Sequence, residues 1–136
     1  KEMQVLIIIL NKVEYLEDVI GLLRKAGIRG ATILDGLGSN SGSSRSLNTT
    51  SFLASIVDSL EQRGEVKKVI MSLVEREDQV NKAMDLVNDL VNNEKDKHSG
   101  AIMMTLPVNH MRGGELERHI KRREEKKKLE QMEEQN

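Results

Sequence analysis

The chain states one local plan twice, and this repetition restricts its possible folds more than any other feature. Residues 3–10 (MQVLIIIL) are a run of β-branched and aliphatic side chains, of a length that suits a strand covered on both faces or paired centrally. Residues 14–26 place Leu16, Val19, Ile20, Leu22 and Leu23 among charges, the spacing of an amphipathic helix. Asn11 reads as its cap and Gly27 as its stop. Residues 28–34 read as a second strand, with Gly30 marking a bulge or a close backbone approach. The second half repeats the order. A strand is expected over residues 67–74 (KKVIMSLV), and a helix over 78–91 with Val80, Ala83, Met84, Val87, Leu90 and Val91 on one face. A polar, charged loop over 92–99 and a strand over 100–108 (GAIMMTLPV) complete it.

Two strand-helix-strand halves in succession make the ferredoxin-like βαββαβ plan. The expected fold is therefore α+β, a four-stranded antiparallel sheet under two helices. The second sheet face reads apolar on Ile7, Ile9 or their neighbours and calls for burial. Residues 39–51, which join the halves, hold six serines, two asparagines, Gly42 and one charge, Arg45. Such a segment buries too little to order itself and is expected to be mobile. Residues 52–60 (FLASIVDSL) fit a short helix or an extension of the third strand, and Gly64 breaks them. Residues 115–136 carry seven Lys or Arg and seven Glu, a composition that forms helix with little packing. Their apolar positions, Leu116, Ile120, Leu129 and Met132, sustain no heptad, so a coiled coil is not expected. The organisation read from the sequence is a ferredoxin-like unit over residues 1–113, with 38–51 as its mobile loop, and a charged helical extension over 114–136.

Composition removes several classes of function. A net charge of −1 argues against a general nucleic-acid or membrane-surface binder. Tyr15 and Phe52 are the aromatic residues, so no platform exists for stacking bases. The absence of Cys excludes disulfides, thiolate metal sites and redox motifs, and fits a reducing cytoplasm. No apolar run approaches the roughly 18 residues of a membrane span, and the start lacks the layout of a signal peptide. A cytoplasmic protein without membrane insertion is the expectation.

The segment His98-Ser-Gly-Ala-Ile-Met-Met-Thr-Leu-Pro-Val-Asn-His-Met-Arg-Gly resembles the PII nitrogen-regulatory signalling family, in particular its divergent PII-like members. Gly27-Ile-Arg-Gly-Ala-Thr-Ile-Leu-Asp looks like the family's second strand, and Val66-Lys-Lys-Val-Ile-Met-Ser-Leu-Val like its third. The Gly/Ser loop stands where the family has its T-loop. The resemblance runs from Met3 to about Gly113 and rests on the order of the segments.

The resemblance implies a homotrimer and no enzymatic activity. It implies a small ligand, an adenine nucleotide such as ATP, ADP or AMP, in clefts between subunits. It also implies a T-loop that docks on a target protein such as a transporter or metabolic enzyme. Carried over residue by residue, the T-loop base falls on Gly38, Ser39, Asn40 and Ser41, and the B-loop on Ser99, Gly100 and Ala101. Thr32 matches a threonine near the nucleotide, and Arg112, with His110 beside it, matches the basic residues after the fourth strand. Ser43, Ser44, Arg45 and Ser46 fall at the partner-docking tip. Ser41 and Ala101 stand where the family has an arginine and a lysine. Two lost charge-assisted contacts, each on the order of 1.5–3 kcal/mol, imply a weak ATP site or a preference for a less phosphorylated or quite different ligand. No cofactor is expected to be obligatory. The rival expectation is a non-enzymatic interaction module with an empty cleft, docking through the loop or the C-terminal helix.

The remaining chemistry-bearing residues read as structural. His98, His110 and His119 lack metal-ligand spacing, and no metal site is expected. Met71, Met84, Met103, Met104 and Met111 read as core filling in a chain almost without aromatics. Glu124, Glu125 and the basic run Lys126-Lys-Lys, with Arg118 and Lys121-Arg-Arg, belong to a solvated helix whose charges offset one another.

Overall fold

The computed structural model describes residues 3–39, 66–92 and 99–135. Within these, the order is strand β1 (Gln4–Leu10), a 3-10 turn (Val13–Tyr15), helix α1 (Leu16–Lys25) and strand β2 (Thr32–Leu37). Strand β3 (Val66–Val74), helix α2 (Glu77–Val91), strand β4 (Ala101–Pro107) and helix α3 (Gly114–Glu134) follow. The strands form one antiparallel sheet in the order β2-β3-β1-β4. That order, with one helix closing each half, is the ferredoxin-like arrangement. The apolar run of β1 thus occupies a central position, paired on both sides.

Strand alternation divides the sheet into two faces. On one, Leu6, Ile8 and Leu10 of β1 and Ile70 and Val74 of β3 are buried. They pack in one cluster with Val19 and Leu23 of α1 and Val80, Ala83, Val87 and Val91 of α2. Tyr15, Met84, Leu90 and Met103 pack against this cluster, the methionines as flexible filler in a chain almost without aromatics.

The exit from α1 corrects the expected second strand. Gly27 takes φ +88°. Its N–H donates to the Arg24 carbonyl at 2.9 Å, and the Ile28 N–H to the Leu23 carbonyl at 2.9 Å. This pair of bonds is a Schellman closure, whose following apolar residue packs back on the helix. Ile28 is accordingly a buried core residue at the helix end. The strand starts at Thr32 and continues through Asp35, Gly36 and Leu37, so Gly30 lies outside it. A side chain on Gly27 would also stand 3.0 Å from Nε2 of Gln79, which donates to the Gly27 carbonyl at 3.4 Å. The end of α1 and the start of α2 are tied at this point.

Asn11 does not cap α1, whose N-cap is Tyr15 without a side-chain bond. Its Nδ2 donates instead to the Ser99 carbonyl at 3.0 Å, across to the entrance of β4. Residues 40–65, including the 52–60 segment, and residues 93–98, with His98, lie outside the described residues.

Candidate functional site

The sheet face turned away from α1 and α2 carries cross-strand rows of apolar side chains. By register, Leu106, Val5 and Leu73 make one row, and Met104, Ile7, Met71 and Thr32 the next. Ile102, Ile9, Val69 and Leu34 make a third. Ile8 is 0 % exposed on the covered face, whereas Leu73 is 43 %, Ile102 53 % and Leu106 54 % exposed on this one. The expectation of an apolar second face holds, and Met71 and Met104 belong to it instead of the core. Strand β2 lies at one edge of the sheet with large apolar residues exposed on either face, Ile33 and Leu37 on one and Leu34 on the other.

A hollow of about 290 Å³ opens where this face meets the end of β2, lined by Ile9, Gly36, Leu37, Gly38, Ser39, Lys67 and Val69. Glycine at position 36 keeps it open, because a Cβ there would stand 3.2 Å from Val69 Cγ2. Gly38 and Ser39, expected at the loop base, are on its rim. Asn40, Ser41, Ser43, Ser44, Arg45 and Ser46 lie outside the described residues. Lys67 is the charged residue of the lining and is absent from the sequence-derived set. Its signal was available. In the strand alternation Lys67 shares a face with Val69, Met71 and Leu73, a lone cation on an apolar surface. Lys68 points to the other face and pairs with Asp35.

The entrance to β4 is built differently. Asn92 Oδ1 accepts from the Ala101 N–H at 2.9 Å and from the Ser99 hydroxyl at 2.9 Å. Its Nδ2 donates to the Ala101 carbonyl at 3.0 Å, so one side-chain amide engages both backbone groups of Ala101. The Gly100 carbonyl accepts from the Asn11 and Lys12 N–H groups at 2.8 and 3.2 Å. A Cβ at Gly100 would meet the Val91 carbonyl oxygen at 2.0 Å, so glycine is required there for helix and strand to approach. Ala101 is buried.

Registers fix where the expected ligand residues stand. Gly38, Ser39, Ser99, Gly100 and Ala101 gather at one end of the sheet. Gly36 and Ala101 are separated there by three strand spacings, about 14 Å. Thr32 pairs with Met71 at mid-height, about 13 Å along β2 from Gly36. Arg112 follows β4 beyond the opposite end, exposed, with its Nη1 donating to the Met111 carbonyl at 3.0 Å. One chain therefore gathers part of the set at one end and leaves Thr32 and Arg112 away from it. His110 is exposed in the same coil, and His119 is exposed on α3. Among the described residues, no group of His, Cys, Asp and Glu is placed to hold a metal ion. No helix among them is long and apolar enough to cross a membrane.

No protein-family model matches the chain, and neither does any curated protein. Solved structures do. A PII-like signalling protein from Thermus thermophilus is 17 % identical, with TM-score 0.46 over 79 % of this chain and 88 % of that one. CPII, a nitrogen regulatory PII-like protein from Thiomonas intermedia bound to ADP, AMP and bicarbonate, is 22 % identical, with TM-score 0.44 over 79 % and 89 %. Its complex with ADP and bicarbonate matches over the same shares at 21 % identity and TM-score 0.44. All three are matched at low identity.

Proposed function

We propose that the chain is a PII-like regulator that assembles as a homotrimer and binds a small ligand, an adenine nucleotide first among candidates, in clefts between subunits. Residues 1–113 form the regulatory unit, residues 38–51 act as the loop that engages a target protein, and residues 114–136 are an extension. The protein acts by regulation, not by chemistry, in the cytoplasm.

The observation that carries the reading is the open sheet face. Three rows of apolar side chains on the uncovered side of a four-stranded sheet are an unusual surface for a lone chain, and large exposed apolar patches mark interaction sites. The hollow at the loop base opens on that face, so a neighbouring subunit packed there would wall it in. Closure by copies of the chain gives a cleft beside the loop, where ligand occupancy can alter loop shape.

Sedimentation velocity and thermal shift test this together. Expected are a trimer at micromolar concentration and a rise in melting temperature with at least one of ATP, ADP, AMP and a cyclic nucleotide, with or without Mg²⁺ and 2-oxoglutarate. A stable monomer refutes the assembly. The rival module has its own observation: Leu129 and Met132 stand 62 % and 64 % exposed, three residues apart on α3. A trimer indifferent to every ligand, whose captured partner is lost on Leu129→Ser with Met132→Ser, would favour that rival.

A further inference from the structure

We infer that the outer half of α3 is an interface for a second copy of the chain, which lies antiparallel on Leu129 and Met132 and joins two assemblies tail to tail. The inference goes beyond the cleft reading and uses a surface that the cleft leaves idle.

The two halves of α3 differ. In the first, Leu116, Glu117 and Ile120 are half-buried, and Arg123 Nη2 pairs with the Glu75 carboxylate at 2.6 Å at the end of β3. At about 100° per residue, Leu116, Ile120 and Arg123 fall on one side of the helix, the side held to the body. Residues 124–134 add about three turns in which every residue is exposed and none forms an ion pair among the described residues. Their apolar residues, Leu129 and Met132, are neighbours on the helix surface and fall on the side opposite to the held stripe.

Charge selects the occupant. Lys126 and Glu133 are one heptad apart, so they stand on one flank of the Leu129–Met132 seam, two turns from each other. An antiparallel copy brings Lys126 of each chain level with Glu133 of the other. That flank then carries two opposite-charge pairs, with Leu129 and Met132 of both chains beside them. Lys128, on the other flank, falls level with the uncharged Gln131. A parallel copy in register sets Lys126 level with Lys126 and Glu133 with Glu133. A partner of uniform charge meets a like charge at one of the two positions. The helix end is therefore complementary to itself in one orientation, as an isologous twofold contact requires. In a symmetric trimer the three tails are equivalent, so three such contacts act together between two trimers. Two apolar residues per chain make a small seam, so doubling is expected near roughly 100 μM and not near about 1 μM.

The test is sedimentation equilibrium of the full chain from about 1 to about 500 μM. Wild type should double in mass across this range, from trimer to hexamer. Doubling from monomer to dimer would uphold the inference while the trimer of the cleft reading fails, so the two failures are distinguishable. Leu129→Ser with Met132→Ser should keep the lower mass throughout, with its helix content by circular dichroism unchanged. Lys126→Glu alone and Glu133→Lys alone should each raise the midpoint concentration of doubling by about tenfold or more, because both charge pairs become repulsive. An equimolar mixture of these two variants should double as wild type does, since each position again faces an opposite charge. Lys127→Glu makes the same change of charge on the side of the held stripe and should double normally. A wild type of constant mass, doubling that survives Leu129→Ser with Met132→Ser, or a mixture that fails to recover overturns the inference. If wild type keeps one mass yet a captured partner is lost in the double serine variant, the surface belongs to the rival module and the inference falls.

Discussion

Ile7 and Ile8 are neighbours in one strand with identical side chains, yet they occupy different environments. Ile8 is sealed between the sheet and two helices, while Ile7 sits in a row with Met71 and Met104 that nothing among the described residues covers. The covered face is a finished core made from the chain's own helices. The open face is as apolar along β1, and its neighbours on β3 and β4 are left about half exposed. The contrast separates two roles for the same kind of residue. One face stabilises the fold, and the other offers apolar area that none of the described residues covers.

The covered face should give the largest single effect on stability. Ile8→Ala removes methyl groups from a fully buried site whose surroundings can relax only partly. A loss of about 3 kcal/mol in denaturant unfolding, at any protein concentration, is expected. Ile7→Asp probes the other face. It should keep the far-UV circular dichroism of the fold while sedimentation shows monomer, because a carboxylate cannot be buried unpaired against Met71 and Met104. Wild-type assembly of Ile7→Asp would break the comparison by removing the open face from the interface. An unfolded Ile7→Asp would show that the two faces cannot be separated.

Within the covered face, Ser72 is the exception. It is 3 % exposed on β3, opposite Leu6, and its hydroxyl has no partner among the described residues. A buried hydroxyl without a hydrogen bond is destabilising, so Ser72→Ala should raise stability by about 1 kcal/mol. Thr32 on the open face is exposed to water, and Thr32→Ala should change stability by less than about 0.5 kcal/mol. Denaturant midpoints for both variants measure how dry each face is.

The two faces were legible in the sequence to different depths. The alternation of β1 and the helical stripe of α2 are strong periodic signals, so the covered core follows almost directly from them. The start of β2 was misplaced because Ile28 reads as a strand residue by type. The Schellman closure at Gly27 turns it into a helix-end plug, and only backbone hydrogen bonding reveals that. The resemblance puts Gly100 in the B-loop, and its absent Cβ also makes room for the Val91 carbonyl, a contact between segments that local sequence does not encode. Lys67 was legible through period-two alternation, but the resemblance directed attention to Ser41 and Ala101, where family cations are missing.

Helix α3 is tied to the end of β3 by Arg123, whose Nη2 pairs with the Glu75 carboxylate at 2.6 Å, and its entry offers the smallest effect. It leaves the sheet through Gly113 and Gly114, both at positive φ, and none of its residues is fully buried. The Glu117 carboxylate accepts from the Gly113 N–H and pairs with Lys121 at 3.2 Å. The Gly113 N–H first, then the Lys121 ammonium, hold its carboxyl below the usual glutamate range. A lowered carboxyl contributes stability that is fully present above its unfolded-chain value and lost as pH falls through its folded one. The clasp should therefore hold at neutral pH and open only once the pH has fallen below the ordinary glutamate range. Asp78, held low chiefly by its hydrogen bond from the Arg76 guanidinium at the start of α2, loses its own contact in the same acid range. NMR titration of the Glu117 carboxyl, read beside Gly113 amide exchange, isolates the junction. The protection of Gly113 relative to its intrinsic exchange rate should fall in acid while the amides of β1 stay protected, and Glu117→Gln should remove that pH dependence of protection. Deprotection of β1 together with Gly113 would mean that α3 is coupled to the sheet and that the molecule is not organised around two faces alone.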